Sequence, residues 1–170
     1  RIFRVFRSDS AATDIDLSAA TTKQLVAELS NTSRFWRTTA RRLLVEGQQA
    51  DAVSVLTQEL INGSPLGLME ALRTLKSFAV LDNPSLRPSL VNALHHFEPM
   101  VQKVALEVLP ATSTGAALLA ASGLLDSESP DLRRHALLAA ARMPESDALG
   151  VALVGDRKST RLNSSHVVIS

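Results

Sequence analysis

The feature that most constrains this chain is a phase relation repeated four times. Alanines at Ala40, Ala71, Ala105 and Ala136 are spaced by 31, 34 and 31 residues. Leucines at Leu29, Leu60, Leu94 and Leu125 keep the same spacings and precede each alanine by 11 residues. Four residues before the alanines stand Trp36, Gly67, Val101 and Leu132, and four residues after stand Leu44, Leu75, Leu109 and Ala140. Pro65, Pro99 and Pro130 each lie six residues ahead of their alanine, with Arg34 in that place in the first unit. A period of this length marks stacked supersecondary units.

Between about Thr22 and Gly155 apolar residues recur at three and four, the period of an amphipathic helix. The spacing predicts pairs at 22–30 and 34–46, 51–62 and 66–79, 85–96 and 99–109, and 114–126 and 130–143, and a last helix from about residue 145 that begins a fifth unit. Ser64-Pro65 and Ser129-Pro130 read as an N-cap followed by the first helical residue, where a missing N–H costs nothing. Glu98-Pro99 is a weaker version, and Thr32 or Ser33 can cap the first unit. Pro88 either delays the start of its helix or kinks the first turn.

One helix pair cannot bury both of its apolar faces, so neighbours must stack. The alanines let second helices approach closely, and the leucines and the residues at ±4 fill the space around them. The expected core is Leu29, Trp36, Ala40, Leu44, Leu60, Ala71, Leu75, Leu94, Val101, Ala105, Leu109, Leu125, Leu132 and Ala136. The expected fold is all-α, a right-handed α-solenoid of HEAT- or armadillo-like pairs. The pattern lacks the Trp/Leu/Gly/Tyr signature of tetratricopeptide units, and a globular helical bundle is the structural alternative. Arg1–Arg7 alternates imperfectly and reads as a short strand remnant, the end of a preceding β-domain. It is followed by a linker to residue 20, with the repeat array over 21–155.

Residues 156–166 read Asp-Arg-Lys-Ser-Thr-Arg-Leu-Asn-Ser-Ser-His. This run resembles the conceptual translation of a sequencing adaptor, so 156–170 is expected to be an artefactual, disordered tail. The whole chain holds 18 Lys+Arg against 17 Asp+Glu, a charge of +1; without the three basic residues and one acidic residue of that tail the rest carries −1. The basic excess that would point to nucleic acid vanishes. No cysteine is present, which excludes a thiolate nucleophile, a disulfide framework and a thiolate-ligated metal within these residues. No run of eighteen apolar residues exists, so no transmembrane segment is expected.

Candidate sites are few. Arg34, Arg37 and Arg41 follow i, i+3, i+7 spacing on one helix face, with Arg42 beside them. They can bind an acidic partner, a phosphate or a docking domain; alternatively their stems cover Phe35 and Trp36 while the heads face water. Trp36 is a ligand platform or, on the packing reading, a core residue. His95 and His96 are adjacent, about 100° apart around a helix, and with Glu98 and His135 make a poor metal set. Glu59, Glu70, Glu107 and Glu145 are dispersed, with no pairing that marks acid–base chemistry. Asp126, Glu128 and Asp131 lack the glycine and alternation of a calcium loop. Gly63, Gly115 and Gly123 form no nucleotide-binding fingerprint.

Two stretches together resemble a known family. Arg1-Ile2-Phe3-Arg4-Val5 resembles the closing strand of a sugar-dehydrogenase-like β-propeller. Phe35-Trp36-Arg37-Thr38-Thr39-Ala40-Arg41-Arg42-Leu43-Leu44-Val45-Glu46 resembles the first HEAT-like helix after such a propeller, and Pro65 to Leu75 resembles the next repeat. The family is the membrane-bound-dehydrogenase-like, haem-binding proteins of planctomycetes and verrucomicrobia. It implies an upstream sugar- or alcohol-oxidising propeller of the pyrroloquinoline-quinone type, a downstream cytochrome c domain with a Cys-x-x-Cys-His signature, and a periplasmic or envelope setting. None of the family's catalytic or haem-ligating residues maps onto this chain. The expectation is therefore a non-catalytic scaffold or spacer with no cofactor of its own, a fragment of a larger redox protein. Its partners would be neighbouring domains or another protein, and not nucleic acid. A stand-alone protein-binding adaptor is the alternative.

Overall fold

A computed structural model describes residues 16–48 and 51–154. The expected strand remnant at 1–7 and the tail at 156–170 lie outside the described residues. Among the described residues the chain is all-α, with nine helices packed in sequence and no strand. They are α1 (Thr22–Glu28), α2 (Arg34–Gly47), α3 (Ala52–Asn62), α4 (Pro65–Ser77), α5 (Arg87–Leu94), α6 (Pro99–Val108), α7 (Ser113–Ala121) and α8 (Pro130–Ala140), followed by α9 over 147–154. No described helix is long and apolar enough to cross a membrane.

The helix starts follow their caps. Thr21 and Gln24 form a reciprocal capping box on α1. Ser64 accepts the Gly67 amide ahead of Pro65, and Ser129 accepts the Leu132 amide ahead of Pro130. Ser33 precedes α2 but its side chain makes no cap bond. Pro88 falls in the first turn of α5, where it interrupts no ladder bond; a 3-10 turn at Pro84–Leu86 leads into that helix. The predicted helix over 114–126 is two pieces. It ends at Ala121, Gly123 takes a left-handed φ of 69°, and a 3-10 turn follows at Leu124–Asp126. The Ser122 hydroxyl donates to the Leu119 carbonyl and accepts the Leu124 amide, satisfying the break locally.

Helices of a pair pack on each other: α1 on α2, α3 on α4, α5 on α6, α7 on α8. Second helices also pack in succession, α2 on α4, α4 on α6 and α6 on α8, while α1 meets α3 and α3 meets α5. Ala40, Ala71, Ala105 and Ala136 are all fully buried, as are Leu29, Leu44, Leu75, Leu94 and Val101. One continuous apolar cluster runs from Leu17 to Leu149. Leu17 joins it from within the stretch expected to be linker, so packing begins before α1. Trp36 lies at the rim of the core instead of inside it, half-buried and edge-on to the exposed Phe35 at 5.0 Å. Ala140 is also only partly buried.

The polar contacts between distant residues keep the same step. Thr22 donates to Asp51 (2.7 Å), Ser30 to Glu59 (3.2 Å) and Thr112 to Asp82 (3.0 Å), at separations of 29, 29 and 30 residues. Each ties one pair to the next.

Candidate functional site

The densest array of charge follows the second helices. Arg41 on α2 pairs with Glu70 on α4 at 3.4 Å, and Glu70 also takes Arg73 at 3.1 Å. Arg73 reaches Glu107 on α6 at 3.7 Å, and Lys76 donates to the Glu107 carbonyl at 2.9 Å. On α6, Lys103 pairs with Asp131 of α8, which also holds Arg134 at 3.1 Å. Arg142 closes the last junction by donating to the Leu106 carbonyl at 2.8 Å and the Glu107 carbonyl at 3.3 Å.

The ladder is buried at one carboxylate and open at the others: Glu70 lies inside, while Glu107 and Asp131 are about half exposed. Glu70 is buried, and its two arginines supply the charge-assisted bonds that offset its desolvation. The carboxyl of Asp131 is held below its ordinary value, first by the hydrogen bond from Lys103 and then by that from Arg134. His135 adds a ring nitrogen 2.7 Å from the Asp131 carbonyl oxygen.

The four arginines singled out in the sequence do not gather into one patch. Arg37 turns back and donates to the carbonyls of Asn31 (2.7 Å) and Thr32 (2.8 Å), tying the α1–α2 turn to α2. Its buried Nε has no hydrogen-bond partner. Arg41 is engaged by Glu70, and Arg42 lies 3.9 Å from Glu46 on the exposed side of its own helix. Arg34 is exposed at the first residue of α2. A free cationic surface is thereby reduced to Arg34 and a loosely paired Arg42.

His96 and His135 are likewise occupied locally, and His95 is exposed. His96 accepts the Glu98 amide at 3.0 Å and stacks on Phe97 at 4.4 Å. Among the described residues no group of three His, Cys, Asp or Glu side chains is placed to hold a metal ion. An open groove between α7 and α9 is lined by alanines, Val151, Asp126 and Asp147. It offers carboxylates on an apolar floor and no described base, cation or nucleophile beside them.

Two features escaped the sequence. Glu70 is the hub of the ladder, and only its offset from Arg41, 29 residues, close to one repeat, and from Arg73, three residues along the helix, could have flagged it. Gly67 breaks the apolar rule at its register position because Glu59 and Ser30 fill the space. A Cβ there would meet the Glu59 Oε1 at 2.0 Å and the Ser30 hydroxyl at 2.3 Å.

Compared with protein-family models, curated proteins and solved structures, the chain matches none.

Proposed function

We propose that this chain is a non-catalytic helical-repeat scaffold or spacer, built as a right-handed α-solenoid of HEAT- or armadillo-like pairs. The observation that carries the reading is the common step of its long-range bonds. The polar contacts between distant described residues join positions 27 to 36 apart, one unit to the next. A chain held together this way presents a long surface at low sequence complexity, which suits positioning and docking. The charged groups along the second helices engage one another, and no group of three His, Cys, Asp or Glu side chains among the described residues is placed to hold a metal ion. By its resemblance, the parent would be an exported dehydrogenase-like redox protein in which this region spaces a propeller from a haem domain.

A turnover assay of the purified chain with sugars and an artificial electron acceptor should give no rate above buffer. Reproducible turnover lost on substitution of a described residue would overturn the scaffold reading. Sequencing the genomic reading frame around this region from an independent read tests the parent: a propeller before it and a Cys-x-x-Cys-His signature after it are expected. The packing of Leu17 into the core favours a second reading, a stand-alone adaptor whose lead-in segment belongs to the first pair. A genomic frame lacking both neighbours would select it.

A further inference from the structure

The repeat sorts the charge of the chain between its helices. Among the described residues α2, α4, α6 and α8 hold nine Lys+Arg against four Asp+Glu, a charge of +5. All other described residues hold three against ten, a charge of −7. The ladder carboxylates therefore leave cations over. Lys76 is exposed and donates only to a backbone carbonyl, and Arg42 is 65% exposed beside Glu46.

Helical register puts this surplus on one side. The alanine of each second helix is fully buried. Residues two or five places from it lie about 140–160° around the helix, at 3.6 residues per turn. On α2, α4 and α6 those places hold the cations Arg42, Arg73, Lys76 and Lys103. They also hold an apolar row, Phe35, Leu66 and Met100, each five residues before its alanine. Phe35 is 65% and Met100 48% exposed. Contact between neighbouring second helices uses the residues flanking the alanine, as where Arg41 meets Glu70. A further helix added at either end of the array would extend the outer side without covering it.

From this charge complementarity we propose that the outer side of α2, α4 and α6 docks an acidic, extended segment of a partner protein. Packed helix axes lie about 8–10 Å apart, and an extended chain rises about 3.3 Å per residue. The segment therefore carries an apolar residue at every third place, one each for Phe35, Leu66 and Met100, with carboxylates between. The apolar row, and Glu107 among the cations, suit a peptide and oppose a phosphate backbone. The inference rests on the repeat reading above and names the class of partner.

The probe is a capped peptide of Leu-Asp-Glu repeated four times. It is titrated into the full isotope-labelled chain and followed by amide chemical shifts. Saturable shifts over Phe35, Arg42, Arg73, Met100 and Lys103 are expected, and added salt should weaken them. A Leu-Lys-Lys peptide should not bind, an arm that needs no protein variant. Arg42→Glu with Lys76→Glu should weaken binding about fivefold, from the upper range for exposed pairs. Lys23→Glu, the same reversal on α1, should leave it unchanged. Absence of saturable shifts, an equal loss from Lys23→Glu, or equal binding of a peptide with its leucines gathered at one end would overturn the proposal. Tighter binding of a thymidine oligonucleotide would overturn it as well. Concentration-dependent sedimentation abolished by the Arg42 and Lys76 reversals would assign the side to a second copy, with the same result. The scaffold reading stands or falls separately, on turnover: a chain that neither binds the peptide nor turns over loses docking alone.

Discussion

Helices α4 and α8 occupy the same place in their units, and yet their surroundings differ. Ala71 and Ala136 are both fully buried. One residue on, Leu72 is sealed and Leu137 stands in solvent. Before the alanine, α4 carries the buried Glu70 between two arginines, where α8 carries the half-buried His135. Four residues after it, Leu75 is buried and Ala140 is not. The alanine is covered in all four pairs, Ala40 included, although no described pair precedes it. The position after it faces forward, so its burial depends on whether another helix packs there. Register sets direction; a neighbour sets energy.

The largest effects should therefore fall on forward-facing leucines that have a neighbour. Leu72→Ala should cost about 2–5 kcal/mol, through lost burial and the cavity left behind. Leu137→Ala should cost under about 1 kcal/mol, because its side chain is already partly in water. Chemical denaturation of the two variants checks this, and equal losses would break the comparison. Next come the positions that the two helices share. Ala71→Leu and Ala136→Leu should each cost about 1–3 kcal/mol by overpacking, since both sites are closed. A neutral Ala136→Leu would mean that α8 is not seated against α6 as closely as α4 is against α2.

Much of this was legible in the sequence, and for a physical reason. A small residue at a close helix crossing is a steric demand repeated once per unit, so it survives as a period. The helix starts at Pro65, Pro99 and Pro130 are equally local: Ser64 and Ser129 cap theirs as expected, whereas Glu98 makes no side-chain cap bond ahead of Pro99. What did not come through depends on partners distant in sequence. Trp36 has the register of a core residue, yet it rests at the rim against Phe35. The arginines of α2 share a helical face, but Asn31, Thr32 and Glu70 draw two of them inward. The break at Gly123 was hidden because a short leucine-rich 3-10 turn has the same composition as a helix end.

Gly67 sharpens the comparison at a smaller scale, because the equivalent place in α8 is filled by Leu132. A glycine inside a helix costs roughly 0.5–1 kcal/mol relative to alanine. Gly67→Ala should not recover that gain, since the new methyl would displace the Glu59 carboxylate and its bond to Ser30. In a background carrying both Glu59→Ala and Ser30→Ala the two obstructing oxygens are gone, and the same change should stabilise by up to about 1 kcal/mol. A mutant cycle that treats this background as one change, followed by thermal unfolding, reads the difference. Simple additivity would show that the glycine serves something other than making room for Glu59 and Ser30.

The smallest expected effect separates the two helices by pH. The Asp131 side chain is half exposed, and its carboxyl is held below its ordinary value of 3.8 by Lys103 and then Arg134. A carboxylate whose folded value is depressed adds stability that is fully present above its unfolded value. That contribution is lost as pH falls through the lower folded value. Asp131→Asn should therefore destabilise the chain at neutral pH, and the gap to the unsubstituted protein should close as pH drops below 3.8. Added salt should shrink it as well, because the Asp131 side chain is open to solvent. Unfolding midpoints measured across that window provide the test. A gap that persists unchanged in acid would mean that Asp131 acts on α8 by shape or hydrogen bonding alone, and that the α6–α8 junction is not joined electrostatically.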